Sequence, residues 1–157
     1  MRVEVVILDP RVVGWGFPHY GSEAAAGLDL HAALDAPVTL EPGVPARLIP
    51  TGIAIHIADA GWCGLVVPRS GLGHRAGLAL GNTVGVIDAD YQGPLTVSAS
   101  NRNAPGGPRI TIAPGDRIAQ LLFVPVARPA FAVVRAFSAA TERGEGGYGS
   151  TGIGAEP

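Results

Sequence analysis

The chain has 157 residues, a formal charge of −2 and 11 basic residues, all of them arginine. A chain of this length buries a core without staples, and its small negative charge excludes the broad basic face that non-specific binding to nucleic acid or an acidic membrane requires. Cys63 is the only cysteine, which excludes an internal disulfide framework or cysteine-based zinc site and suits a reducing, cytoplasmic setting.

From the start, residues 2–8 alternate and stop at Asp9-Pro10, a first β-strand too short for a signal peptide or a membrane span. Further short apolar runs separated by turn residues predict strands over 29–33, 38–40, 46–50, 53–57, 63–67, 84–88, 95–101, 109–112, 118–126 and 130–134. One short helix is expected over 70–78, where Ser70 caps a run weakened by Gly71, Gly73 and Gly77. The 23 glycines and 14 prolines punctuate these runs, as a turn-rich all-β sandwich or jelly-roll-like barrel requires. Residues 1–137 read as one domain and 138–157 as a flexible, glycine-rich C-terminal arm.

Five stretches are candidates to carry chemistry. Residues 81–98 form two β-rich arms around a polar turn, as a β-hairpin would. The open backbone of Gly85, Val86 and Ile87 offers alternating donors and acceptors suited to the edge of a pyrimidine, and Asn82 offers both polarities in one amide. Tyr91 suits a floor under a sugar that leaves no space for a 2′-hydroxyl, and Asp88 is placed to take a proton from water; a plain hairpin with a solvated acidic turn is the competing reading. Arg69, Ser70 and Gly71 enter the expected helix and combine a guanidinium, a hydroxyl and free amides into a phosphate cradle, against which stands an ordinary helix cap with a surface arginine.

Asp29 lies within an apolar strand, and Arg117 and Gln120 open another. Such groups are tolerated there only when paired, so an Asp29–Arg117 salt bridge is the structural alternative to a binding role. The tail sets Arg143, Tyr148, Ser150 and Thr151 among glycines including Gly149, a composition suited to closing over an anionic ligand or, alternatively, to a solubilising end. Its G-x-G-x-x-G spelling lacks the strand before and the helix after that a dinucleotide site needs. There is no Walker loop, no G-x-S-x-G elbow around Ser70, and no metal-ligand spacing among His19, His31, His56 and His74.

Taken in order, residues 26–30, 68–77, 85–93, 115–120 and 143–152 resemble the five motifs of the trimeric deoxyuridine triphosphatases, most closely the bacterial type. The resemblance spans nearly the whole chain. It implies hydrolysis of dUTP to dUMP and pyrophosphate on a dUTPase-like β-clip, with Asp88 as the base that activates water. It further implies that Tyr91 selects deoxyribose, that Asn82 and the backbone of Gly85, Val86 and Ile87 read uracil, and that Arg69, Ser70, Gly71 and Gln120 hold phosphates. Asp29 would orient water around a triphosphate-bound Mg²⁺. Arg143, Gly149, Ser150 and Thr151 would close on the terminal phosphate, with Tyr148 over uracil where the family usually has phenylalanine. Pro94 replaces a more usual acidic or amide residue. The implied assembly is a homotrimer with active sites shared among three chains, and no nucleic-acid or membrane partner. The dCTP deaminases share the fold, but their catalytic glutamate falls at Ser98, and residues 96–100 contain no acid. A non-catalytic nucleotide-binding relative would not need Asp88.

Overall fold

Short alternating runs bury one face each, and they assemble here into two four-stranded antiparallel sheets that share one core. The computed structural model describes residues 1–147. The chain divides into one unit of Met1–Ala127 and a second of Arg128–Pro157. In the first unit the strands are β1 (Glu4–Ile7), β2 (Leu28–His31), β3 (Val38–Leu40), β4 (Arg47–His56), β5 (Trp62–Pro68), β6 (Leu78–Leu80), β7 (Gly85–Ile87), β8 (Pro94–Asn101), β9 (Ile110–Ile112) and β10 (Arg117–Pro125). One sheet has the order β1-β4-β8-β6, the other β2-β10-β5-β7, and β3 pairs with β9 alone. This is the all-β sandwich that the turn-rich sequence predicts.

Between the sheets lie Leu30, Ile49, Ile57, Val97, Ile118 and Leu121, each almost wholly buried. Burying one such side chain contributes about 1.5–3 kcal/mol. The alternation is plainest in β8, where Leu95, Val97, Ala99 and Asn101 point inward while Pro94 and Thr96 face out.

The structure departs from the sequence reading in five places. The expected strands 46–50 and 53–57 are one strand, β4, whose register against β8 shifts between Pro50 and Ala54. Gly52 sits in that shift with φ +75°, a left-handed conformation glycine adopts without a Cβ penalty, so the interruption is a bulge rather than a break. Two elements were not anticipated. Helix α1 (Arg11–Gly14) follows Asp9, whose carboxylate accepts from the Arg11 amide at 2.9 Å and from its guanidinium. Strand β6 takes residues assigned to the end of the helix, because α2 (Ser70–Ala76) stops at Gly77, which is left-handed at φ +82°.

The fourth departure is the hairpin. Strand β7 pairs with β5, while β8 pairs with β4 and β6, so the two arms belong to different sheets. Residues 88–93 are long enough to cross between sheets. Pro94, opening β8, has no N–H to donate at that point. The fifth is the expected strand at 130–134, which is irregular. Among the described residues its apolar side chains join no sheet: Phe131 is 91% exposed and Val133 fully so.

Candidate active site

Asp29 is the centre of the most highly organised polar cluster. It lies in β2, directly across from Gln120 of β10, with its own side chain almost completely buried. Arg69 Nε donates to Asp29 Oδ1 at 3.1 Å, Arg117 Nη1 donates to Oδ2 at 3.1 Å, and Gln120 Nε2 donates to Oδ1 at 3.3 Å. Arg69 also donates from Nη1 to the Arg117 carbonyl at 3.3 Å. The expected Asp29–Arg117 salt bridge is therefore present, and Arg69 shares the same carboxylate. One buried anion holding two guanidinium groups leaves an excess of positive charge on the cluster's outer side.

That outer side is a cavity of about 260 Å³ lined by Arg69, Ser70, Gly71, Leu72, Arg75, Ala76 and Gln120. Arg69 occupies the extended position before α2, and the first helical hydrogen bond runs from the Gly73 N–H to the Arg69 carbonyl at 2.8 Å. The amides of Ser70, Gly71 and Leu72 precede that bond, as the orphan donors of a helix start do. No side chain of the helix itself caps it. The structure thus brings together Arg69, Ser70, Gly71 and Gln120 into one wall of donors without a free carboxylate among the lining residues.

Arg75 is the member that sequence reasoning missed. A Cβ at Gly71 would stand 3.2 Å from Arg75 Nη2, so the guanidinium lies over Gly71, one helical turn back, and a side chain there would displace it. The signal was available, since i and i+4 share a helix face. Gly27 has a similar bearing on Gln120, because a Cβ there would meet the Gln120 side chain at 3.2 Å.

A second, smaller cavity of about 140 Å³ is lined by Val86, Ile87, Asp88, Tyr91, Pro94, Leu95 and Thr96. It lies where the edge strand β7 and the start of β8 meet, so both sheets supply its walls. Strand β7 is the last strand of its sheet and pairs only with β5, which leaves its other backbone edge without a strand partner among the described residues. Asp88 is exposed at the end of that strand. The Tyr91 N–H donates to the Asp88 carbonyl at 3.2 Å, and its hydroxyl donates to the Pro94 carbonyl at 3.1 Å, so ring and acid are tied through one turn. Asn82 does not line this cavity; it is exposed, with its amide beside Gly85, and Gly85 also lies outside the lining. The two cavities share no residue.

In the second unit, Arg143 Nε donates to the Gly146 carbonyl at 2.8 Å, closing a local turn with Gly144 at φ +51°. Tyr148, Gly149, Ser150 and Thr151 lie outside the described residues. Among the histidines, His31 is buried, leans on Trp15 with ring centroids 6.1 Å apart, and has no partner for Nδ1 among the described residues.

The described residues contain no group of three or more His, Cys, Asp or Glu able to hold a metal ion. Asp29 has four acceptor positions, three of them filled by the arginines and Gln120, leaving one on Oδ2 that suits a metal-bound water. Among the described residues, no helix is long and apolar enough to cross a membrane.

Fold and site together define a small all-β protein with one cavity walled by guanidinium, hydroxyl and amide groups at the entry to α2 and a second lined by Asp88 and Tyr91 beside the edge strand β7. The dUTPase family model matches residues 14–152, and the chain belongs to that family. It is 54% identical to the deoxyuridine 5′-triphosphate nucleotidohydrolase of Xanthomonas oryzae pv. oryzae, over 96% of this chain and 95% of that protein. It is 55% identical to the Xylella fastidiosa protein of the same name at the same coverage. Among solved structures, a mutant dUTPase of Staphylococcus bacteriophage 80alpha with dUpNHpp superposes with a TM-score of 0.84 at 28% identity, covering 97% of this chain and 99% of that one. A mutant dUTPase from phage phi11 of S. aureus, described with a structural Mg(II) ion, matches with a TM-score of 0.75 at 26% identity, covering 88% of this chain and all of that one.

Proposed function

We propose that this chain is a dUTP diphosphatase, hydrolysing dUTP to dUMP and pyrophosphate, which keeps uracil out of DNA and supplies dUMP for thymidylate synthesis. The observation that carries the reading is the Asp29-centred cluster: its excess positive charge faces a cavity built of hydroxyl, amide and guanidinium donors, the chemistry a triphosphate needs.

Arg69, Ser70, Gly71 and Gln120 bind phosphate oxygens, with Arg75 as a further cation on the same wall. The open edge of β7, through Gly85, Val86 and Ile87, reads uracil with Asn82, and Tyr91 lies under the deoxyribose. Asp88 takes the proton from the water that attacks the α-phosphorus. Asp29 would accept from a water of a Mg²⁺ that arrives with the triphosphate, and that ion would supply charge neutralisation for the leaving pyrophosphate. Arg143, Gly149, Ser150 and Thr151 close over the terminal phosphate and Tyr148 over the base, excluding water.

A cradle and a base cavity without a common residue, together with the exposed apolar side chains around Phe131, support a homotrimer in which each active site draws on three chains. The lone Cys63 supports a cytoplasmic setting. The decisive experiment is pyrophosphate release with Mg²⁺ from dUTP, dTTP, dCTP and UTP in parallel, alongside an ammonia assay on dCTP. Release confined to dUTP is expected; ammonia from dCTP, or no release from dUTP, would overturn the reading.

A further inference from the structure

Tyr91 is nearly half exposed, yet its ring is held at two points, by its own N–H to the Asp88 carbonyl and by its hydroxyl to the Pro94 carbonyl. Gly93 lies beneath that ring. A Cβ at Gly93 would stand 2.5 Å from the Tyr91 hydroxyl oxygen, 2.7 Å from Cζ and 3.1 Å from Cε2. Gly93 is not among the residues of positive φ, and the position before a proline favours the extended region open to any L-residue. The backbone therefore does not require glycine there. The ring does.

We infer that Gly93 is a positioning residue for sugar selection: its missing side chain is the space into which the Tyr91 phenol folds, and that placement sets the discrimination between deoxyribose and ribose. The inference deepens the dUTP reading and rests on it. Any Cβ at this position drives the ring toward solvent, which it can reach because it is already exposed, so the cost falls on ring position rather than on folding. With the ring displaced, the surface that would collide with a 2′-hydroxyl is gone, while Asp88 and the phosphate cradle keep their places.

The test is a double-mutant cycle with Gly93→Ala and Tyr91→Ala, reading the ratio of kcat/KM for dUTP to that for UTP. Gly93→Ala is expected to lower that ratio on the order of tenfold, the scale of a single misfitted steric contact in a specificity pocket. In the Tyr91→Ala background it is expected to change the ratio no further, since there is no ring left to displace. A Gly93→Ala variant with the parent ratio, or one that lowers it equally with and without the ring, overturns the inference while leaving dUTP hydrolysis intact. A parent chain that releases no pyrophosphate from dUTP overturns the underlying reading and the inference with it.

Discussion

The two aspartates of the proposed site sit in different surroundings. Asp88 is exposed at the end of an edge strand and accepts no hydrogen bond from the described side chains, which leaves its oxygens available to solvent. Asp88→Asn should lower kcat by about 10²–10⁴-fold, the usual contribution of a general base, while leaving affinity for a non-hydrolysable dUTP analogue within a few-fold; titration calorimetry beside steady-state rates checks both. Asp29 is buried and already engaged by three donors. Asp29→Asn should destabilise the fold by about 2 kcal/mol, less than a fully buried pair costs because both arginines reach water, and should raise KM for dUTP as Arg69 and Arg117 lose their common anchor. Denaturant midpoints and rates measured on one preparation separate the two effects. Most of these side chains were legible as letters. The pairing of Arg69 with Asp29 was not, since nothing in the spacing of residues 40 apart announces a shared carboxylate, and Arg75 went unassigned although its helical offset from Gly71 places both on one face.

At the level of elements, period-two alternation located nearly every strand, because burial on one face is written locally. What it could not locate was partnership. The arms around residues 88–93 read as a hairpin because proximity in sequence was taken for proximity in a sheet, and β7 and β8 pair elsewhere. The run at 130–134 has strand character but no strand partner among the described residues. Gly52 shows the opposite lesson, a turn residue inside a strand. It has positive φ, and a Cβ there would approach Val12 Cγ1 at 2.7 Å and Asp9 Cβ at 2.9 Å. Gly52→Ala should cost about 2–4 kcal/mol from strain and overpacking together, seen as a lowered thermal midpoint.

Strand β2 also ends in a pH dependence. Burial holds the His31 imidazole below its ordinary value near 6.5; nearby Asp29 opposes that effect, and Arg117, Arg69 and His19 reinforce it. The unfolded chain then takes up a proton below about pH 6.5 that the folded one refuses, so stability falls as pH drops through that value until the folded imidazole itself titrates. The thermal midpoint should decline between pH 7 and 5, and His31→Phe should flatten that part of the curve.

For the whole molecule, the two units make different predictions. Removing residues 143–157 should abolish dUTP turnover, because Arg143 and the residues after it are lost, while the remaining chain keeps its fold and, by sedimentation, the same oligomeric state as the full chain. A truncated protein with full kcat/KM would rule out the closing role proposed for the tail.

The split of residues 88–93 between two sheets has a practical corollary. The proposed triphosphate grip rests on β2, β10 and the entry to α2, whereas the proposed uracil-reading residues 82–87 lie on and before β7, which pairs with β5 and not with β8. An engineer wishing to retarget the molecule to another pyrimidine therefore has a compact cassette to diversify, and selection in nature would meet the same modularity. Changes confined to residues 82–87 can alter which base is accepted without touching Asp88, Tyr91 or the hold on the phosphate chain.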